Sequence, residues 1–197
     1  MHLAPHVGRV VGLDLTRPML LKAAELSSLR GIGNLDLVQG NVYSLPFGDE
    51  TFDIVTSRRA PHHFPDLLEA VRSMKRVIKR GGVTIIEDRS VPEDDFVDRT
   101  MNELDLLHDR SHVRDYRPSE WRSVMGEAGL IVEGLETFTR IWPLSSLTDT
   151  AAPEDKKEIE RRVRSLDEAE RKRMGVFEIE GALQIRHWFV LVKARRL

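Results

Sequence analysis

The sequence predicts an α/β protein with a doubly wound, mostly parallel sheet. Residues 10–13, 54–55 and 83–86 are continuously apolar rather than alternating, which is typical of parallel strands covered on both faces. Segments whose apolar residues recur at helical spacing lie between these runs. Because strands and helices alternate along the chain, we expect helices on both faces of the sheet.

Six strands and five helices are predicted. The strands are residues 9–15, 35–42, 52–56, 83–88, 131–139 and 188–194. The first helix runs from a capping Thr16 to about Leu29, and the second carries the apolar stripe Leu67, Val71, Met74 and Ile78. The remaining helices are residues 94–107, 119–128 (closed by Gly129) and 153–174. Residues 79–82, Lys-Arg-Gly-Gly, are expected to end the second helix, since cations complement its dipole and glycine permits a left-handed stop.

The length and composition exclude several classes of protein. The 197 residues are expected to form one domain, residues 1–197, and a net charge of −2 implies no general attraction to nucleic acid or to an anionic membrane. The absence of cysteine excludes disulfides and thiolate sites and fits a cytoplasmic protein. No apolar run approaches the roughly 18 residues of a membrane span, and no metal-ligand spacing is present, so neither a membrane nor a metal is predicted.

Two predicted strands stop at a small residue and then present a polar side chain. Asp14 follows Gly12-Leu13, and Asn41 follows Gly40. In open parallel sheets, ligands bind at the carboxyl ends of the strands. A carboxylate there suits a ribose, because it can accept hydrogen bonds from two adjacent hydroxyls. These junctions therefore predict a nucleotide-type site.

Six segments in a fixed order carry a family resemblance. They are residues 11–20, 39–47, 52–64, 77–82, 111–114 and 119–121. Together they resemble the class I S-adenosylmethionine-dependent methyltransferases, and the last two segments resemble a bacterial branch related to the ubiquinone and menaquinone biosynthesis enzymes. The resemblance covers about residues 3–139 and implies a Rossmann-like fold and S-adenosylmethionine as the cofactor.

The resemblance implies five cofactor-binding residues. Asp14 would bind the ribose hydroxyls, and the alternative for this residue is an N-cap-like role before the next helix. Met19 would lie against the adenine, or else belong to the core. Asn41 would accept a hydrogen bond from the adenine amino group while Val42 offers a backbone N–H, and the alternative for Asn41 is a turn residue. Arg58 would lie near the methionine part of the cofactor, or else be a surface charge.

Few residues are candidates for contact with the molecule that accepts the methyl group. His62 and His63 are the only groups near that sheet edge that could remove a proton, although a sulfonium donor often needs no strong base and capping or packing would also explain them. The loop that carries His112, Arg114 and Tyr116 would cover the substrate pocket, and the alternative is that these residues form loop-stabilising hydrogen bonds.

One family element has no counterpart in the sequence. The family has a strand and a glycine-rich turn before the segment that starts at residue 9, whereas residues 2–8 resemble the tail of the helix that follows that turn. Roughly thirty residues, one strand-turn-helix unit, are therefore expected to be absent relative to the family. Three arrangements follow: the flanking strands pair directly, a second copy covers the gap as a homodimer, or the start recorded here lies downstream of the true one.

The leading hypothesis for function is methyl transfer to a small-molecule acceptor. The alternative is a non-catalytic, methyltransferase-like scaffold or oligomer subunit that has lost cofactor binding. A nicotinamide-dependent oxidoreductase is a third hypothesis, which the segment Leu45-Pro46-Phe47 and the absence of a Tyr-x-x-x-Lys pair disfavour. The sequence does not identify the acceptor.

Overall fold

The computed structural model describes residues 3–197, so Met1 and His2 lie outside the described residues. Within this range the strands are β1 (Val10–Asp14), β2 (Leu35–Gln39), β3 (Phe52–Arg58), β4 (Ile78–Ser90), β5 (Ile131–Pro143), β6 (Phe177–Ile179) and β7 (Ala182–Arg195). The α-helices are α1 (Arg17–Leu29), α2 (Leu67–Val77), α3 (Asp95–His108), α4 (Pro118–Glu127), α5 (Pro153–Ser165) and α6 (Glu168–Met174). Short 3-10 helices span Ala4–His6, Pro61–His63 and Leu144–Leu147.

The strands form two sheets. β1 and β2 pair in parallel, from Val10 opposite Leu35 to Asp14 opposite Gln39. The larger sheet has the order β3-β4-β7-β5, with β6 beside β7. β3 and β4 are parallel, and β7 runs antiparallel to β4, β5 and β6, so β7 is the one reversed strand of the larger sheet. The predicted doubly wound, mostly parallel α/β fold is confirmed.

The space between β1 and β3 is not bridged by strand pairing. Among residues 3–197, β1 hydrogen-bonds only to β2, and β3 only to β4. Direct pairing of these two strands, one of the three arrangements left open by the sequence, is therefore not formed. Ile54 on β3 is 46% exposed, so this sheet edge retains apolar surface. A homodimer that covers it stays a prediction.

Helices α2 and α4 pack against the larger sheet. The predicted stripe Leu67, Val71, Met74 and Ile78 is buried throughout. With Trp121 of α4 and residues of β4 and β7, most of these side chains form one apolar core. Burial of each large side chain there stabilises the fold by roughly 1.5–3 kcal/mol. This core fixes the positions of the loops that follow β3 and β4.

A second core lies under the loops. Residues Met101 and Leu104 of α3 pack with Ile159 and Val163 of α5 and with Leu147 of the last 3-10 helix. The charged segment predicted as a single helix over 153–174 therefore buries one face. It is interrupted after Ser165.

The interruption between α5 and α6 has a local cause. Asp167 accepts a hydrogen bond from the Glu170 N–H at 2.8 Å, and the Glu170 carboxylate accepts from the Asp167 N–H at 3.0 Å. This reciprocal pair begins a new helix, because it satisfies N–H groups that would otherwise lack partners. The prediction of one continuous helix was wrong for this reason.

The glycine pair after α2 has another role than the predicted one. Ile78 already lies in extended backbone, and Gly81 (φ +75°) lies within β4. A Cβ on Gly82 would be 2.8 Å from the Asp53 carbonyl oxygen. The glycines therefore permit the register shift at the start of the β3–β4 pairing rather than the helix stop. Gly129, with φ +74°, does follow α4 as predicted.

The other differences concern strand ends. The strand predicted over 35–42 stops at Gln39, whereas β5 and β7 extend beyond residues 131–139 and 188–194, and β6 was not predicted. β5 and β7 pair along most of their length, which extends both beyond their apolar centres. No helix in residues 3–197 has the length and apolarity needed to cross a bilayer.

The start of α2 provides a test of local stability. The Asp66 carboxylate accepts a hydrogen bond from the Glu69 N–H at 2.9 Å. We expect Asp66→Ala to lower the free energy of unfolding by about 1 kcal/mol, since it leaves a helix N–H without a partner. Urea titration measures the change. Asp66→Asn keeps the acceptor and should cost only a few tenths of a kcal/mol; an equal loss in both variants would contradict the capping role.

Candidate functional site

Asp14 ends β1 with a free carboxylate oxygen. Its Oδ1 accepts hydrogen bonds from the N–H of Thr16 at 2.7 Å and from the Thr16 hydroxyl at 2.8 Å. Thr16 is the residue before α1, but its hydroxyl donates to Asp14 and does not cap the helix, so the predicted side-chain cap is not formed. Oδ2 has no partner among the described residues, and no cation pairs with this carboxylate. Asp14 therefore stabilises its own turn and keeps an acceptor available.

The loop after β2 lies against that turn. The Gly40 N–H donates to the Asp14 carbonyl at 3.0 Å, and a Cβ on Gly40 would be 2.9 Å from Leu13 Cδ1. Asn41 Oδ1 accepts from the Tyr43 N–H at 3.0 Å, which is the turn role considered as the alternative. Within residues 3–197, the Asn41 side-chain NH₂ and the Val42 N–H have no partner, so both remain available to a ligand.

The next two predicted residues are both exposed. Met19 on α1 is 56% exposed and does not belong to the core. Arg58 is 73% exposed in its side chain and donates from Nε to Glu87 at 3.0 Å. Burial opposes ionisation of Glu87, but hydrogen bonds from Arg59 and Arg58 lower its pKa below the ordinary value. Arg58 is thus part of an ion pair at the end of β3.

A cavity of about 250 Å³ lies beyond the ends of β3 and β4. Residues of α3, β5, β7 and the loops between these elements complete its wall. Five of the seven histidines of the chain line it: His62, His63, His108, His112 and His187. Two arginines and two aspartates (Arg59, Arg89, Asp105 and Asp109) also line it, so its formal charges balance. No group of three His, Cys, Asp or Glu in residues 3–197 has a geometry that could hold a metal ion.

His62 is held by a buried carboxylate. Its Nδ1 lies 2.6 Å from Oδ1 of Asp88, and its backbone N–H donates to Oδ2 at 2.7 Å. Asp88, near the end of β4, is fully buried. Because a carboxylate only accepts, Nδ1 carries the hydrogen and Nε2 is the free acceptor. No side chain or backbone group in residues 3–197 hydrogen-bonds to Nε2, and the ring lines the cavity. This arrangement can accept a proton from a bound molecule.

His63 and His108 have the same tautomer. Nδ1 of His63 lies 3.1 Å from the Ser111 carbonyl oxygen, and Nδ1 of His108 lies 3.1 Å from the Leu147 carbonyl oxygen. A carbonyl can only accept, so each Nδ1 donates and each Nε2 keeps a lone pair. These backbone contacts fix both rings at the cavity wall.

His112 presents the opposite ring nitrogen. Its Nε2 lies 3.0 Å from Oδ1 of Asn102, whose NH₂ donates to Asp98. That second bond orients the amide, so His112 Nε2 carries the hydrogen and Nδ1 is bare. Burial lowers the pKa of His112 to about 4, against the opposing attraction of Asp105. The ring is therefore neutral at pH 7.

His187 differs from the other four histidines of the cavity, because its first partner is a donor and not an acceptor. The Arg89 guanidinium hydrogen-bonds to Nδ1, so the hydrogen is on Nε2, 3.3 Å from the Ser146 hydroxyl oxygen. Burial, and then the positive charge of Arg89, lower the pKa of His187 to about 3. The ring cannot become charged at neutral pH, because a cation already lies beside it.

Arg89 also neutralises two buried carboxylates. It donates to Asp105 at 2.5 Å, and its Nε lies 3.4 Å from an oxygen of Asp115. Neither oxygen of Asp115 has a hydrogen-bond partner in the described range 3–197. Burial, together with the charge of Asp105, raises the pKa of Asp115 well above its ordinary value. For Asp105, burial acts in the same direction, but Arg89 outweighs it and lowers the pKa.

The three loop residues predicted to bind the methyl acceptor do not lie together in the structure. His112 reaches the cavity. Arg114 instead binds Asp98 and Glu120, as the loop-stabilising alternative expected, while Tyr116 packs edge-to-face on Trp121 with ring centroids 5.9 Å apart. Neither Arg114 nor Tyr116 lines the cavity. Substrate binding by these residues stays a prediction.

Sequence reasoning missed several cavity residues. Asp88 carried a usable signal, since it is a polar side chain near the carboxyl end of an apolar strand, as Asp14 is. Arg89, Asp105, His108 and His187 carried none, because each belongs to a helix or strand whose local pattern explains it.

The fold and these loops define a Rossmann-like α/β protein with ligand-binding positions at the carboxyl ends of its strands. Residues 1–86 match the methyltransferase domain family. A candidate methyltransferase from Bacillus halodurans C-125 superposes with a TM-score of 0.93 at 32% identity, over 98% of this chain and 85% of that one. The chain belongs to the class I S-adenosylmethionine-dependent methyltransferases, the family whose cofactor is S-adenosylmethionine.

Two curated relatives each match about two thirds of the chain. The uncharacterized methyltransferase YcgJ of Bacillus subtilis is 37% identical over 135 residues, 68% of this chain and 53% of that protein. The uncharacterized protein YafE of Escherichia coli is 40% identical over 134 residues, 68% of this chain and 65% of that protein. The matched region thus spans between about half and two thirds of these relatives.

The residues present fit the nucleoside part of the cofactor. Asp14 has a free carboxylate oxygen for ribose hydroxyls, and the Val42 N–H is a free donor for a purine nitrogen. Met19 offers exposed apolar surface for the ring. For the methionine part, Arg58 is the one predicted partner, and it already pairs with Glu87.

Proposed function

We propose that this protein transfers a methyl group from S-adenosylmethionine to a small-molecule acceptor bound in the histidine-lined cavity. The observation that carries the proposal is the cavity itself. It lies at the carboxyl ends of β3 and β4, where open α/β sheets bind their ligands. Its size of about 250 Å³ suits a small molecule.

In this proposal the chain binds and orients the reactants. S-adenosylmethionine supplies an activated methyl group when it is bound. Asp14 holds the ribose, Asn41 and Val42 contact the adenine edge, and Met19 packs against its face. Alignment of the two reactants contributes much of the rate, because the sulfonium is already reactive. The free oxygen of Asp14 and the free N–H of Val42 support these assignments.

Removal of one carboxylate tests the cofactor site. Isothermal titration with S-adenosylhomocysteine should show saturable binding, and Asp14→Ala should weaken it roughly ten- to hundredfold, the usual loss for hydrogen bonds to a charged group. Asp36→Ala is the matched control, since Asp36 is an exposed carboxylate on β2 that pairs with Arg9. The control should bind like the unchanged protein.

A second candidate function is a non-catalytic scaffold. Among the described residues, β1 and β3 each pair with another strand on one edge only, which favours it, because an open strand edge can receive another chain. The same titration separates the two functions. No binding of S-adenosylhomocysteine to a cooperatively folded sample would reject the methyltransferase proposal and favour the scaffold.

A further inference from the structure

We infer that the cavity binds a single-ring aromatic hydroxyl compound, with the hydroxyl donating its hydrogen bond to Nε2 of His62. This inference rests on the proposed methyl transfer and names the class of its acceptor. Three properties of the cavity carry it: unused acceptor atoms, balanced charge and flat walls.

The unused polar atoms of the cavity wall are mainly acceptors. His62, His63 and His108 each donate from Nδ1 to a carboxylate or carbonyl oxygen, which leaves Nε2 with a lone pair. His112 donates from Nε2 to Asn102 and keeps Nδ1 bare. A ligand that satisfies such a wall must supply hydrogen-bond donors, because bare acceptors facing acceptors leave both unpaired.

Both arginines of the cavity wall are already paired with carboxylates. Arg89 is bound to Asp105, and Arg59 pairs with Glu87 at 2.8 Å while its guanidinium lies 4.0 Å from the centre of the Phe189 ring. No guanidinium is therefore left for a carboxylate or phosphate ligand. A cationic ligand could reach Asp109, whose carboxylate accepts from Ser111, but it would also face both guanidinium groups. A neutral hydroxyl donor fits this balance best.

The shape of the wall favours a flat ring. Trp142 and Leu147 supply apolar surface, and the indole of Trp142 lies 4.8 Å from the His187 ring. Aromatic faces pack well against planar ligands. An apolar cavity of about 150 Å³ is enough to hold benzene. The volume of about 250 Å³ here leaves room for one ring with substituents.

The chemical step is balanced. The hydroxyl oxygen of the acceptor forms the new bond to the methyl carbon, the carbon–sulfur bond of the donor breaks, and its electron pair stays on sulfur as S-adenosylhomocysteine. The hydroxyl proton moves to His62 Nε2. Asp88 acts through His62 as a positioning residue, since it fixes the tautomer and stabilises the charged ring.

Asp88→Asn inverts this tautomer without removing a side chain. The amide oxygen can keep the bond from the His62 N–H, while the amide NH₂ faces Nδ1. Nδ1 then accepts, and the hydrogen moves to Nε2, which becomes a donor. A hydroxyl ligand would lose its acceptor, whereas the shape of the cavity would be conserved.

The test uses phenol, anisole and benzoate as probes of the full chain, with histidine ¹⁵N spectra as the readout. We expect the unchanged protein to show His62 with its hydrogen on Nδ1, and phenol to shift the Nε2 resonance. Phenol should bind about tenfold more tightly than anisole, which lacks the donor. Asp88→Asn should move the hydrogen to Nε2 and weaken phenol binding about tenfold, while anisole binding stays unchanged. Asp36→Asn is the exposed carboxylate-to-amide control.

Other outcomes would overturn the inference. Benzoate binding more tightly than phenol would mean that the cavity selects anions. Equal affinity for phenol and anisole would exclude His62 Nε2 as the hydrogen-bond acceptor. The same conclusion would follow if phenol bound equally well to the unchanged protein and to Asp88→Asn. Titration with S-adenosylhomocysteine is independent of these probes. Cofactor binding without phenol binding rejects the acceptor class alone, and the reverse result rejects the proposed methyl transfer.

Discussion

Arg89→Met should lower the free energy of unfolding by about 3–5 kcal/mol, which is the usual cost of leaving buried charges without a partner. The Arg89 side chain is 11% exposed and pairs with Asp105 and Asp115, which are 7% and 1% exposed. Methionine has a similar length but no charge, so Asp105 would stay buried without its cation, and Asp115, whose pKa is already raised, would lose the positive charge nearest to it. Urea unfolding at pH 7 measures the loss.

Arg161→Met is the matched control for that variant. Arg161 pairs with Glu158 on the surface of α5, and its side chain is 66% exposed. Exposed pairs of this kind contribute little, because water screens both charges, so Arg161→Met should unfold close to the unchanged protein. A loss below about 1 kcal/mol for Arg89→Met would mean that the buried carboxylates become protonated at little cost, contrary to the role assigned to Arg89.

Stability should fall as the pH decreases from 6.5 towards 4. Burial lowers the pKa of His112 from 6.5 to about 4 and that of His187 from 6.5 to about 3. In this window the unfolded chain binds a proton on each ring and the folded protein binds neither. Above pH 6.5 the two histidines therefore make their full contribution to the free energy of unfolding. Below pH 6.5 this contribution decreases, because proton binding favours the unfolded chain.

Asp115 acts in the opposite direction. Its raised pKa means that the folded protein can carry a proton that the unfolded carboxyl lacks. One such proton offsets at most one of the two histidine protons. Below about pH 5.5, where both histidines of the unfolded chain are protonated, the net difference is therefore about one proton, or about 1.4 kcal/mol per pH unit. We therefore expect a loss of about 2 kcal/mol between pH 6.5 and 4.5, measured by urea unfolding at half-unit steps.

A histidine variant checks the origin of this slope. His187→Gln keeps an acceptor for Arg89 but cannot bind the proton, so the slope should decrease by about 1.4 kcal/mol per pH unit. His6→Gln, at an exposed position outside the cavity, should leave the slope unchanged. A flat profile in the unchanged protein would contradict the neutral, buried state of His112 and His187.

The sequence by itself determined the fold class and the polar ends of the first strands. Continuous apolar runs predicted the parallel strands, and helical spacing predicted the stripe from Leu67 to Met74, because burial of a strand or a helix leaves a local period in the chain. Asp14 and Asn41 were predicted because each lies at or just after the end of such a strand, Asp14 after Leu13 and Asn41 after Gly40. The family motifs lie in this part of the chain and supplied the cofactor.

Only the tertiary structure decided what forms the cavity. His62 and His187 are separated by most of the chain and meet because β7 inserts beside β4 in the larger sheet. The partner of each imidazole, and hence which ring nitrogen is free, depends on contacts such as those with Asp88 and Asn102. Strand order and tautomer both arise from long-range packing, and neither leaves a period or a spacing in the sequence.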